Sequence, residues 1–149
     1  MISRTKVNIK KIKEGAVVPT YGSEFSAGAD LYACLDCGVT VAPHATLLIP
    51  TGLVMELPEG FAGLIYARSG LAAKKGLAPA NKVGVVDSDY RGEVMVALHN
   101  HGDVAQTVAN GDRIAQMVIT PYLAAEFVIA DELSATVRGE GGFGSTGSK

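Results

Sequence analysis

Short apolar runs, each broken within a few residues by Gly, Pro, Asn or Asp, recur along the whole chain. They fall at residues 7–12, 46–49, 53–57, 61–66, 83–86, 94–98, 114–119 and 127–129. Runs this short and rich in Val, Ile, Leu and aromatics read as strands, because a helix of a globular domain needs a longer amphipathic period. The interruptions carry turn chemistry: Pro43, Pro50-Thr51-Gly52, Pro58-Glu59-Gly60, His101-Gly102-Asp103 and Asn110-Gly111-Asp112. No βαβ alternation is present, which excludes a doubly wound fold and leaves an all-β sandwich, jelly roll or barrel. Helix is expected over Ser69–Lys75, capped by Ser69 and stopped by Gly76, with a weaker candidate at 131–137. At 149 residues the chain is long enough for one buried core and too short for two, so it reads as a single domain over 1–149.

Charge narrows the function. The formal net charge is −2, whereas a protein gripping a nucleic-acid backbone needs a positive excess to neutralise phosphates. The one basic run (Arg4, Lys6, Lys10, Lys11, Lys13) reads as the wet side of a first strand. No secretory apolar region follows Met1, and no apolar run approaches the ~18 residues that span a bilayer. No nucleic-acid or membrane partner is therefore expected, and a cytoplasmic or other reducing intracellular compartment is. Cys34 and Cys37 have metal or redox spacing without a second pair. They read as a reduced structural pair, with zinc through His44 as the alternative. His99 and His101 share a strand face beside a turn.

Three segments carry chemistry. In Ala67-Arg68-Ser69-Gly70, a guanidinium fork, a hydroxyl and free backbone N–H groups meet at a strand end, the parts of a phosphate site or of a simple helix cap. In the stretch from Gly84 to Val94, an apolar strand delivers Asp87 into a polar turn that also holds Tyr90. A carboxylate so placed can deprotonate a water, and the same letters also make an ordinary hairpin. The last segment, 138–149, holds five glycines and Phe143 as its single aromatic. It lacks an apolar pattern to offset its ordering entropy, so it is expected to be a mobile arm. Its glycines let successive N–H groups wrap an anion. The fingerprint-like Gly139-Glu140-Gly141-Gly142-Phe143-Gly144 has no βαβ unit around it and is not a dinucleotide motif.

Five ordered blocks together resemble the trimeric dUTPase family: Ala27-Gly28-Ala29-Asp30-Leu31; Ala67 to Ala72; Gly84 to Val94; Gly111-Asp112-Arg113-Ile114-Ala115-Gln116; and Arg138 to Gly147. Two positions depart from the family pattern, Ala67 where proline is common and Ala29 where tyrosine is frequent. The resemblance implies a jelly-roll-like distorted β-barrel subunit, a homotrimer with shared active sites, and Mg²⁺-assisted hydrolysis of dUTP to dUMP and pyrophosphate. That reaction lowers dUTP and supplies dUMP for dTTP synthesis. It further implies that Asp87 activates the water and that Asp30 holds the hydrated Mg²⁺. Arg68, Ser69, Gly70 and Gln116 would contact phosphates. Asn81, the backbone of Val85 and Val86, and Met95 would surround uracil, with Tyr90 beneath the deoxyribose. Arg138, Phe143, Gly144, Ser145 and Thr146 would come from the arm of another subunit, Phe143 stacking on the base. Arg113 and Asp89 would be structural. The rival readings are a non-catalytic dUTP-sensing module of the same fold and a dCTP deaminase-like activity.

Overall fold

The computed structural model describes residues 4–142. Phe143, Gly144, Ser145 and Thr146, assigned above to a ligand-covering arm, lie outside the described residues. The described chain forms eleven strands and one short helix: β1 Asn8–Lys11, β2 Thr20–Tyr21, β3 Ala29–Tyr32, β4 Val39–Val41, β5 Thr46–Glu56, β6 Phe61–Tyr66, α1 Ser69–Lys75, β7 Leu77–Pro79, β8 Gly84–Val86, β9 Glu93–Asn100, β10 Gln106–Val108 and β11 Arg113–Pro121. All pairings are antiparallel. They build a four-stranded sheet β1-β5-β9-β7, a five-stranded sheet β2-β3-β11-β6-β8 and a two-stranded ribbon β10-β4, a jelly-roll-like all-β fold. Among the described residues no helix is long and apolar enough to cross a membrane.

The core follows from side-chain alternation. In β9, Val94, Val96, Leu98 and Asn100 are buried while the residues between them face outward, the period-2 pattern of a sheet with one dry face. Ile49, Leu53 and Met55 of β5 meet them, and Leu31, Ile65, Ile114 and Met117 of the other sheet close the core. Asn100 is wholly buried, and its amide is satisfied: Nδ2 donates to Val41 O (3.1 Å) and Val104 O (2.8 Å), and Gly102 N donates to Oδ1 (3.0 Å). A buried amide without these partners would be costly, so Asn100 pins the loop that follows β9.

Four sequence expectations are corrected. Pro50-Thr51-Gly52 does not separate two strands: β5 runs through it, with a register shift in which Pro50 faces Met95 and Val54 faces Glu93. The bulge holds because Thr51 Oγ1 donates to Val94 O (2.6 Å) and Gly52 N donates to the Glu93 carboxylate (2.8 Å), restoring bonds the ladder loses there. Residues 127–129 form no strand and 131–137 no helix; Phe127, Val128, Ile129, Leu133 and Val137 are all exposed, because among the described residues no element lies where they could bury an apolar face. The helix cap is Arg68 rather than Ser69, with no side-chain cap bond, whereas Gly76 closes the C-terminus in the left-handed region as expected. Strands β2, β3, β4, β7 and β10 are too short to announce themselves by pattern.

Gly52 sits at φ +68°, and a Cβ there would meet Ala16 Cβ at 2.8 Å, Cys34 Sγ at 2.9 Å and Lys13 Cβ at 3.1 Å. The left-handed backbone and the filled space act together, so Gly52→Ala is expected to lower stability by roughly 2–4 kcal/mol. A denaturant midpoint at fixed protein concentration checks this; an unchanged midpoint would mean the bulge relaxes freely.

Candidate active site

Asp30, Gln116 and Tyr66 stand in one row across β3, β11 and β6, since Gln116 is paired with Asp30 on one side and Tyr66 on the other. Their inward neighbours Leu31, Ile65 and Met117 belong to the core, so alternation places the row on the opposite, outer face. Beyond Tyr66 the chain turns at Ala67 and enters α1. Gln116 Nε2 donates to Ala67 O (2.8 Å) and holds that turn. Gly28 makes room for it: a Cβ at Gly28 would collide with Gln116 Oε1 and lie 3.0 Å from Cδ. The turn aims Arg68 at Asp30, with Nε donating to Oδ1 (2.7 Å) and Nη2 reaching Oδ2 (3.5 Å). Arg113 Nη1 donates to the same Oδ2 (3.3 Å). Asp30 is the more enclosed partner, its side chain 13% exposed against 26% for Arg68 and 52% for Arg113.

These residues border a cleft of about 790 Å³ together with Ser69, Gly70, Lys74 and Lys75. Four cations and one carboxylate therefore face this space in a chain whose net charge is −2. With the carboxylate counted against the four cations, the lining keeps an excess of positive charge, and a cleft focuses such an excess better than a bulk charge does, which suits it to a polyanion. Of the residues the sequence singles out for phosphate and metal contacts, Arg68, Ser69, Gly70, Gln116 and Asp30 border this one cleft; Lys74 and Lys75, which it does not single out, border it too, as does Arg113, which it assigns a structural place. Their signal was available as an excess of cations in and near the second and fourth blocks.

The other group of predicted residues lies elsewhere. β8 pairs with β6 in the five-stranded sheet, whereas β9 belongs to the four-stranded sheet. The segment between them is thus a crossing between sheets and not the closing turn of a two-stranded ladder. Along it, Tyr90 N donates to Asp87 O (3.2 Å) and Tyr90 OH to Glu93 O (3.0 Å). The Tyr90 ring lies directly over Gly92, where a Cβ would come within 2.5 Å of Cζ. Val85 (62% exposed), Met95 and the Tyr90 ring leave apolar surface open around this crossing, with Asn81 exposed at the far end of β8. Asn81 amide Nδ2 would lie 3.2 Å from a Cβ at Gly84, so Gly84 lets that side chain fold back over the strand.

Asp87 is exposed and opens on a separate concavity of about 920 Å³ shared with Glu56, Glu59 and Arg91. In the β6–β8 register Gly63 faces Val86 and Ile65 faces Gly84. Continued by one residue, that register sets Asp87 level with Ala62, four strand positions from Tyr66, or roughly 13 Å along the sheet. One chain therefore keeps Asp87 and the Arg68–Asp30 cleft apart. Arg138 is also remote in interaction: it is exposed, and its Nε donates to Gly141 O (2.8 Å) within its own segment. Away from both groups, Cys34 is buried and Cys37 exposed, both as free thiols. His44 bonds Asp103 (2.9 Å), and the His99 and His101 rings meet edge to face at 4.4 Å.

A family model described as dUTPase matches residues 14–147. A deoxyuridine 5'-triphosphate nucleotidohydrolase of Desulfitobacterium hafniense (strain DSM 10664 / DCB-2) is 51% identical over 145 residues, covering 95% of this chain and 96% of that protein. One from Hydrogenobaculum sp. (strain Y04AAS1) is 48% identical over 144 residues, covering 97% and 99%. Among solved structures, the dUTPase of Staphylococcus bacteriophage 80alpha with dUPNHPP superposes with a TM-score of 0.89 at 26% identity, over 97% of this chain and 99% of that one.

Proposed function

The chain belongs to the dUTPase family and is a dUTP diphosphatase that hydrolyses dUTP to dUMP, and we propose that it assembles each reaction centre from more than one copy of itself, as a homotrimer. The observation that carries this reading is the separation just described. The phosphate-attracting cleft and the carboxylate suited to activate water open on different concavities of one chain. A neighbouring copy that sets its Asp87 crossing against the Arg68 cleft brings them together. The exposure of Leu123, Phe127, Val128, Ile129, Leu133 and Val137 along one stretch of chain supports assembly, since large apolar side chains left open in number mark an interaction site.

Within such a centre the proposed roles follow side-chain chemistry. Arg68, Ser69, Gly70 and Gln116 hold the phosphate chain, and charge-assisted bonds from the Arg68 fork are the strongest of these. Arg113 and Asp30 keep that fork oriented. Asn81 and the backbone of Val85 and Val86 read the uracil edge beside Met95, and Tyr90 packs under the deoxyribose, where a 2′-hydroxyl would clash. Asp87 takes a proton from the water that attacks the α-phosphorus in line, and pyrophosphate leaves. Arg138, Phe143, Gly144, Ser145 and Thr146 close over the substrate from a third copy.

The donor set fits Mg²⁺ that arrives on the substrate. Among the described residues no three His, Cys, Asp or Glu side chains gather to hold a metal, and Mg²⁺ is ordinarily bound by one or two carboxylates plus substrate phosphates while keeping waters. Asp30 accepts three guanidinium contacts of the about four that a carboxylate offers, which leaves room for one bond to a metal-held water. Bound there, Mg²⁺ would neutralise charge on the phosphates.

Mixed assembly tests the shared centre. Asp87→Asn and Arg68→Gln chains, each inactive alone, are dissociated, mixed in equal amounts and reassembled. Activity should return to about a quarter of wild type, the fraction of random interfaces carrying both intact side chains. A mixture that stays inactive after verified exchange would place both groups of one centre on a single chain.

A further inference from the structure

Asp87 sits in an exposed crossing, and a base must hold its water to a fraction of an ångström. The side chain of Arg91 laces this crossing. Its Nη1 donates to both Ser88 O (2.7 Å) and Tyr90 O (3.0 Å), and its Nη2 donates to Glu56 Oε1 (3.3 Å). Glu56 ends β5 directly opposite Asn8 of β1, and Asn8 Nδ2 donates to its other oxygen (2.9 Å). A path of hydrogen bonds thus runs from a paired position of the four-stranded sheet, through one planar guanidinium, into the two carbonyls flanking Asp89. The Asn8 hydrogen bond, followed by the Arg91 charge, holds the Glu56 carboxyl below its usual range, so it stays an acceptor at neutral pH. Both ends of the ion pair are about half exposed, and such pairs add little to stability. Their consequence is geometric.

We propose that Arg91 and Glu56 are positioning residues for hydrolysis, fixing the backbone of the crossing so that the Asp87 carboxylate is held in one place. This rests on the reading of Asp87 as the base. The planar fork matters as much as the charge, because a lysine ammonium cannot meet two carbonyls and a carboxylate in one plane.

Steady-state kinetics on the full-length assembled enzyme test it, using Arg91→Gln, Arg91→Lys, Glu56→Gln and the Arg91→Gln/Glu56→Gln double variant, with Asp87→Asn alongside. Arg91→Gln should lower kcat about tenfold with KM for dUTP within about twofold, a loss of alignment rather than of binding. Arg91→Lys should stay within about threefold of Arg91→Gln. Glu56→Gln should cost about threefold, and the double variant should be no worse than Arg91→Gln, as expected for one coupled unit. Denaturant midpoints should hardly move. Wild-type kcat in Arg91→Gln, full recovery in Arg91→Lys, or multiplicative losses in the double variant would each overturn the assignment. Should Arg91→Gln fail to fold, an unaltered kcat in Glu56→Gln does so instead. An active Asp87→Asn enzyme would remove the underlying base reading, whereas an inactive one beside a normal Arg91→Gln would remove only the positioning role.

Discussion

Replacing Asp87 by Asn is expected to lower kcat by about 10³-fold while dUTP still binds, because an amide of the same shape cannot take the proton from the attacking water. The loss should appear in kcat and not in KM. Asp87 lies in the sheet crossing, its backbone oxygen accepting from Tyr90 N, and its carboxylate takes no part in the ion pairs of the described residues. The substitution therefore removes no structural bond and should leave the denaturant midpoint within about 0.5 kcal/mol of wild type. Affinity for a non-hydrolysable imido analogue, measured by calorimetry, should be preserved, since the proposed centre assigns the uracil, sugar and phosphate contacts to other residues. Pyrophosphate release at more than a tenth of the wild-type rate would assign the proton transfer to another group.

Removing residues 138–149 should leave the assembled subunit intact and cost about 10²–10³-fold in kcat/KM. Its described residues, 138–142, contribute nothing visible to the core: 138–140 are exposed, and their contacts are local, Gly139 N to Thr136 and Arg138 to Gly141. What it can supply is a set of backbone N–H groups, hydroxyls at Ser145 and Thr146, a guanidinium at Arg138 and the flat ring of Phe143. In the proposed centre these groups would close on an anionic, flat ligand, so their binding energy would fall on the closed state and exclude water from it. Light scattering should report an unchanged mass for the truncated assembly. An undiminished kcat/KM would reduce the segment to a tail, and a dissociated assembly would make it part of the subunit interface.

Much of the fold is legible in the sequence. Period-2 burial in β9, the Gly76 stop after α1 and the Asn-Gly-Asp turn before β11 follow from side-chain alternation and turn chemistry, which act over a few residues. The Arg68-Ser69-Gly70 turn and the polar turn holding Asp87 and Tyr90 were legible for the same reason, each being one strand end with its own polar residues, whereas the crossing of the second from one sheet to the other was not. The apolar letters at 127–129 and the helix-tolerant ones at 131–137 misled because pattern records what a segment can bury and says nothing of whether a partner is there.

Chain alone determined the all-β class, the positions of most strand ends, and the residue types available for a polyanion and a water-activating carboxylate. Tertiary structure decided which of them meet. Arg113 joins Asp30 across 83 positions of sequence, position 52 of the bulge admits only glycine because Ala16 and Cys34 occupy its flank, and Asp87 was turned away from Arg68 by the register of β6 and β8. Those outcomes depend on strand pairing between distant segments, where a shift of one residue reverses every facing side chain, and short-range preferences carry no information about that choice.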